Sequence, residues 1–175
     1  FGRRNMMRNV LKDGLLIEQQ TGTNPFTMGF IGSTDTHSAT PGGAEEENYV
    51  VHLGRRDSEY RNVQDHFFSN PGGHVVVWAE ENSRDAIFNA IRRKETYATS
   101  GTRPILRFFG GANLDPGLCD SPTMIEDAYA QGVPMGGELS STHGQPKFLV
   151  SVQKDPGTAQ HPGSDLQRVQ IIKGW

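Results

Sequence analysis

The sequence predicts an α/β unit followed by a β-rich region, and three observations carry that expectation. An apolar spacing of helical period over residues 4–20 leads into Met28-Gly29-Phe30-Ile31, a run too short for a helix and apolar on both faces. A second run, Val75-Val76-Val77-Trp78, is followed at once by a helix signal opening at Ser83. Beyond Gly110 the helical spacing fades, and strand-like pieces alternate with turns rich in Gly, Pro and Asp.

Met6, Met7, Val10, Leu11, Leu15 and Ile17 recur at mostly helical spacing, with Gly22 as a natural stop and Gly14 as a weak point. Asn24-Pro25 then breaks the chain. The run after it reads as a strand covered on both faces, and sheets of that kind bind ligands at the carboxyl ends of their strands. This one ends in Gly32-Ser33-Thr34-Asp35-Thr36-His37. Residues two apart in an extended chain point the same way, so Asp35 and His37 are expected to project together while Thr34 and Thr36 face the other side. A carboxylate beside an imidazole suits zinc, manganese or iron. The plainer reading is that Asp35 opens a turn or caps a helix and His37 packs beside it.

Two donors do not hold such an ion, since stable sites use three or more protein ligands. Downstream lie His52, His66, His74, Asp65 and the acidic run Glu45-Glu46-Glu47. Residues 38–73 lose periodicity between Pro41-Gly42-Gly43 and Asn70-Pro71-Gly72-Gly73, and they read as a long loop over the site. Tyr49, Tyr60, Phe67 and Phe68 anchor it as an ordered lid. Glu47 is a candidate substrate or metal contact there, against the simpler reading of a solvated charge run.

Ser83 is a good N-cap for a helix through Lys94, with Asp85 in its first turn and Ala86, Ile87, Ala90 and Ile91 on one face. Thr96 to Thr99 is extended, and Ser100 to Pro104 is a loop in which Ser100 and Arg103 can meet an anionic substrate or simply form a surface turn. Strands are expected at Ile105 to Phe109, Phe148 to Gln153 and Arg168 to Ile172, a helix at Met124 to Tyr129, and a turn at Asp155-Pro156-Gly157. The expected division is 1–101 as the α/β part, with its long loop at 38–74, and 102–175 as a small antiparallel sandwich.

Composition narrows the function classes. With 34% hydrophobic and 21% charged residues the chain resembles ordinary globular protein, and 21 glycines with 10 prolines imply many loops. A net charge of -3, with Arg3-Arg4, Arg55-Arg56 and Arg92-Arg93-Lys94 scattered, argues against a nucleic-acid surface. Cys119 stands alone, so no internal disulfide forms. No apolar run reaches 18 residues, which excludes a membrane-spanning helix in this chain. Since the chain begins at Phe1, an upstream signal remains open, and with it a periplasmic or secreted location. There is no GxSxG, HExxH, Walker loop or GxGxxG.

Several stretches together carry a resemblance: Asn24 to His37, Trp78-Ala79-Glu80-Glu81-Asn82-Ser83-Arg84, Arg93 to Gly101, Phe108-Phe109-Gly110-Gly111, Val133-Pro134-Met135-Gly136-Gly137 and the closing Val169 to Trp175. The chain resembles the C-terminal half of the bacterial domain-of-unknown-function 3604 family, which is itself similar to the PHP (polymerase and histidinol phosphatase) superfamily of metal-dependent hydrolases. That resemblance implies a distorted barrel of parallel strands and helices holding two or three divalent transition-metal ions (zinc, manganese or iron). Asp35 and His37 match the superfamily's last Asp-x-His ligand motif. Its opening His-x-His motif has no counterpart, because no two of the six histidines stand two residues apart. The expectation is therefore a distal fragment that completes its site with a missing N-terminal half, and that exposes strand edges when alone.

The function expected from these residues and this resemblance is hydrolysis of a phosphoester-type bond in a small-molecule substrate, by metal-activated water. The alternative is a non-catalytic carbohydrate- or partner-binding module with a structural Asp-x-His. A third reading is hydrolysis of a non-phosphate bond.

Overall fold

The structure is a computed structural model, and it describes residues 2, 6–37, 39, 72–139 and 144–174. The expected lid, with Glu47, His52, Asp65, His66 and its aromatic anchors, lies outside the described residues. The chain forms two compact units, Phe1–Met28 with Leu166–Trp175, and Gly29–Asp165. Residue 101 falls within the second, in the turn between two strands.

In the first unit, helix α1 (Met7–Thr21) ends at Gly22, whose φ of 77° is the left-handed cap that a glycine adopts freely. The Gly22 N–H donates to the Glu18 carbonyl at 2.8 Å. Gly14, a weak helix former on propensity, is buried here for a packing reason. A Cβ at Gly14 would stand 2.5 Å from Asn24 Oδ1 and 3.2 Å from Phe26 Cβ. That same Asn24 oxygen accepts the Phe26 N–H at 2.9 Å, so the breaker folds back onto the helix as an Asx turn. Leu11, Leu15 and Leu16 share an apolar hollow of about 440 Å³ with Ile172 and Gly174.

The second unit holds all the described strands. Strand β1 (Gly73–Val77) pairs antiparallel with β2 (Thr96–Ser100), in the register Val75 with Ala98 and His74 with Thr99. Helix α2 (Arg84–Arg92) joins them, and the Ser83 hydroxyl oxygen accepts the Ala86 N–H at 3.2 Å as its cap. Strand β3 (Ile105–Gly111) is the centre of a second sheet in the order β4 (Val133–Pro134), β3, β5 (Lys147–Gln153), all antiparallel. Tyr97 links the two sheets in sequence, since its hydroxyl donates to Pro104 O at 2.7 Å and accepts the Leu106 N–H at 3.2 Å.

A 3-10 turn (Pro116–Asp120) and helix α3 (Met124–Gln131) lie between β3 and β4 in the chain. The core gathers here as Phe109, Leu114, Leu118, Ala128 and Leu149, flanked by Met124 and Ile125. The Tyr129 ring meets Phe109 edge-on with centroids 5.0 Å apart.

Three expectations are corrected. The Met28 to Ile31 run is extended but joins no ladder, and Phe30 and Ile31 are exposed. Gly32 explains how it lies: a Cβ there would approach His74 O at 2.7 Å and Thr99 O at 3.1 Å, so the backbone crosses close over β1 and β2. Thr96 Oγ1 donates to Phe30 O at 2.8 Å, a side-chain tether in place of a strand partner. The described pairings are antiparallel throughout, and no closed barrel is formed among the described residues. Arg168 to Ile172 is not a strand, because its alternation finds no neighbour and Val169, Ile171 and Ile172 stay exposed. The architecture is thus mixed helix and strand with two small antiparallel sheets.

Candidate functional site

Asp35 and His37 lie on the exposed end of the segment that passes over β1 and β2. Asp35 Oδ1 stands 3.9 Å from His37 Nε2, with the side chains 82% and 63% exposed. Asp35 adopts φ 54°, a left-handed conformation that aspartate tolerates better than most residues. The convergence therefore comes from a local twist rather than from regular strand alternation. Thr34 and Thr36 share a hydroxyl hydrogen bond of 2.7 Å on the half-buried side.

The separation can be compared with what an ion requires. Two donors at about 2.1 Å from a tetrahedral ion stand roughly 3.4 Å apart, so a small side-chain rotation brings this pair into range. Oxygen and imidazole nitrogen are suitable donors, and their exposure leaves room for an ion between them. The pair thus fits as two ligands of a larger set. Among the described residues, no three His, Cys, Asp or Glu side chains gather closely enough to complete it.

The other expected site residues are dispersed. His74, in β1, has Nδ1 2.9 Å from the Gly72 carbonyl, and since a carbonyl only accepts, that nitrogen carries the proton. In the neutral ring this leaves Nε2 as the acceptor. Arg103 is exposed in the turn after β2, where its backbone N–H donates to Asp155 Oδ2 at 2.6 Å. Asp155 is buried, and its other oxygen accepts the Gly157 N–H at 2.8 Å, closing the turn. Thr99, directly opposite His74 in the ladder, has a buried hydroxyl without a hydrogen-bond partner.

A second constellation was missed by sequence reading, because its members are spread over four elements. Glu95 is only 2% exposed, between α2 and β2. Its Oε2 accepts Arg93 Nε at 3.3 Å and Arg93 Nη2 at 3.2 Å, and its Oε1 accepts the Tyr129 hydroxyl. Arg107, from β3, donates to the Tyr129 oxygen at 3.1 Å and lies 3.9 Å from Glu95. Its guanidinium sits 3.3 Å from the Trp78 ring centroid, and the indole is held by an N–H bond to Leu106 O at 3.1 Å. The only advance signal was the Arg92-Arg93-Lys94 run, which closes the expected helix just before Glu95.

Burial raises the Tyr129 phenol above its ordinary value, and the neighbouring Glu95 carboxylate adds to the rise while Arg107 opposes it. The fold therefore favours the protonated tyrosine, whose contribution is complete below the unfolded-state value near 10 and is lost as pH climbs through the higher folded value. The stability of wild type relative to Tyr129→Phe should fall between neutral pH and strongly alkaline pH. Parallel urea midpoints for the two proteins across that range would show no role for Tyr129.

The family model described as Protein of unknown function (DUF3604) matches residues 2–175, and the chain belongs to that family. No curated protein and no solved structure matches the chain.

Proposed function

With membership of that family as the premise, we propose that this chain contributes to a metal-dependent hydrolase acting on phosphoester-type bonds. The observation that carries the reading is the convergence of an Asp35 carboxylate and a His37 imidazole, 3.9 Å apart, on an exposed segment end with left-handed backbone at Asp35. Unusual backbone held at a polar, solvent-facing point is a common companion of functional sites. The match of Asp35 and His37 to the last Asp-x-His ligand motif of the PHP superfamily, which the sequence resembles, supports their role as a ligand pair.

A divalent zinc, manganese or iron ion bound there would acidify water and polarise the oxygens of the scissile group. Asp35 supplies the negative charge that favours a cation over water, and His37 supplies a directional nitrogen donor. The remaining ligands come from outside the described residues. Arg103 and Glu47 remain the proposed substrate contacts, the former pairing with an anionic group.

Aryl phosphates test this directly. Metal-loaded protein should release aryl alcohol, chelation should stop it, and His37→Ala should lower the rate about a hundredfold or more. Release from carboxylic esters alone would favour the non-phosphate reading. No hydrolysis of either, with metal still bound, would favour a binding module.

A further inference from the structure

The cleft around Trp78, Arg93, Glu95, Arg107, Tyr129 and Pro134 plays no part in the proposed metal chemistry, yet its side chains are more buried than Asp35 and His37. Its walls come from the chain after β1, the α2–β2 connection, β3, α3 and β4. It encloses about 550 Å³, within the range of small-molecule sites.

Its charges are unequally matched. The buried Glu95 spends one oxygen on two Arg93 donors and the other on the Tyr129 hydroxyl. Arg107 reaches that carboxylate only at 3.9 Å, too far for a hydrogen bond. Arg93 has a further carboxylate in Glu80 at 3.1 Å, but Glu80 is 69% exposed and weakly coupled. Two guanidinium groups and two carboxylates line the cleft, and both carboxylates are engaged by Arg93 at hydrogen-bonding distance, while Arg107 has neither that close.

Arg107 is the guanidinium with donors to spare. Of its five N–H donors, one is used, on Tyr129. Its place over the Trp78 ring, 3.3 Å from the centroid, holds the guanidinium without consuming a donor, and 20% of the side chain remains open. A planar, immobilised fork with free donors is the geometry that recognises a carboxylate or phosphate through two parallel bonds.

We propose that this cleft binds a small oxyanion, the carboxylate or phosphate group of a small-molecule ligand, through the guanidinium of Arg107 that lies over the Trp78 ring. Glu80 on the rim opposes it, and Glu95 with Tyr129 holds the arginine in place. The proposal does not rest on the metal reading, and chelator separates the two because anion held by an ion at Asp35 and His37 would be released.

The test is titration of the purified protein, in chelator and at constant ionic strength, with inorganic phosphate, acetate and chloride, read by tryptophan fluorescence. Phosphate or acetate should give a saturable change that chloride does not, and the tighter of the two identifies the ligand's group. Arg107→Lys keeps the charge but loses the fork, and should weaken binding about tenfold or more. Glu80→Gln, on an exposed residue that carries no fold risk, should tighten it about twofold to fivefold. Arg84→Gln, a charge change away from the cleft, should leave it unchanged. Absence of saturation by either oxyanion overturns the proposal, as does unaltered affinity in Glu80→Gln together with a folded Arg107→Lys.

Discussion

Glu95→Ala should destabilise the protein by about 3 kcal/mol, the low end for breaking a buried ion pair. The carboxylate is 2% exposed and gathers Arg93, Arg107 and Tyr129 around itself. Removing it leaves Arg107 with an uncompensated charge and Tyr129 without its acceptor. Arg93 contributes less, because its side chain is 39% exposed and water can replace the lost partner. Glu95→Gln should cost less than Glu95→Ala, since the amide oxygen still accepts one bond. Urea denaturation of the three proteins checks both statements. A loss under about 1 kcal/mol for Glu95→Ala would mean that the cluster is a surface network rather than a structural centre.

Phe109→Ala should cost about 3–5 kcal/mol, the usual penalty for emptying an aromatic site in a core. Phe109 is the largest fully buried side chain among the described residues, at 1% exposure. It sits in β3, the middle strand of its sheet, and packs with Leu114, Leu118, Ala128 and Leu149. Its ring also supports Tyr129 edge-on, so the substitution reaches the Glu95 cluster through one contact. Phe109→Leu should recover most of the loss, because it refills much of the volume. A loss under about 1 kcal/mol for Phe109→Ala would place the folding core elsewhere.

What was legible in the sequence was what local chemistry decides. Ser83 caps α2 as its hydroxyl and position require, Gly22 ends α1 in the left-handed conformation, and Asp155-Pro156-Gly157 turns through the Asp155 side chain. The apolar, strand-like runs at β1, β3 and β5 likewise became strands. Partnership was not legible. Met28 to Ile31 and Arg168 to Ile172 have strand composition, but a strand exists only where a neighbour offers its hydrogen bonds, and neither run has one. Strand direction was hidden for the same reason. The resemblance implied parallel strands, yet β1 and β2 pair antiparallel.

The site divides along the same line. Asp35 and His37 are two residues apart, so their convergence needed only local geometry to be anticipated, although the left-handed turn at Asp35 that accompanies it was not. Glu95, Arg107 and Tyr129 are separated by 12 or more residues and meet only through the packing of β2, β3 and α3. No spacing rule joins them. Their chemistry became visible once burial showed which carboxylate is desolvated and which arginine is left with free donors.

The account stands most directly on whether Asp35 and His37 hold metal. Elemental analysis of protein purified without chelator, for wild type and for the Asp35→Ala, His37→Ala double variant, measures that. Wild type should carry stoichiometric zinc, manganese or iron, and the variant should lose it while keeping its circular dichroism and urea midpoint. Equal metal in both, or none in either, would contradict the metal assignment and leave the segment end as a structural turn.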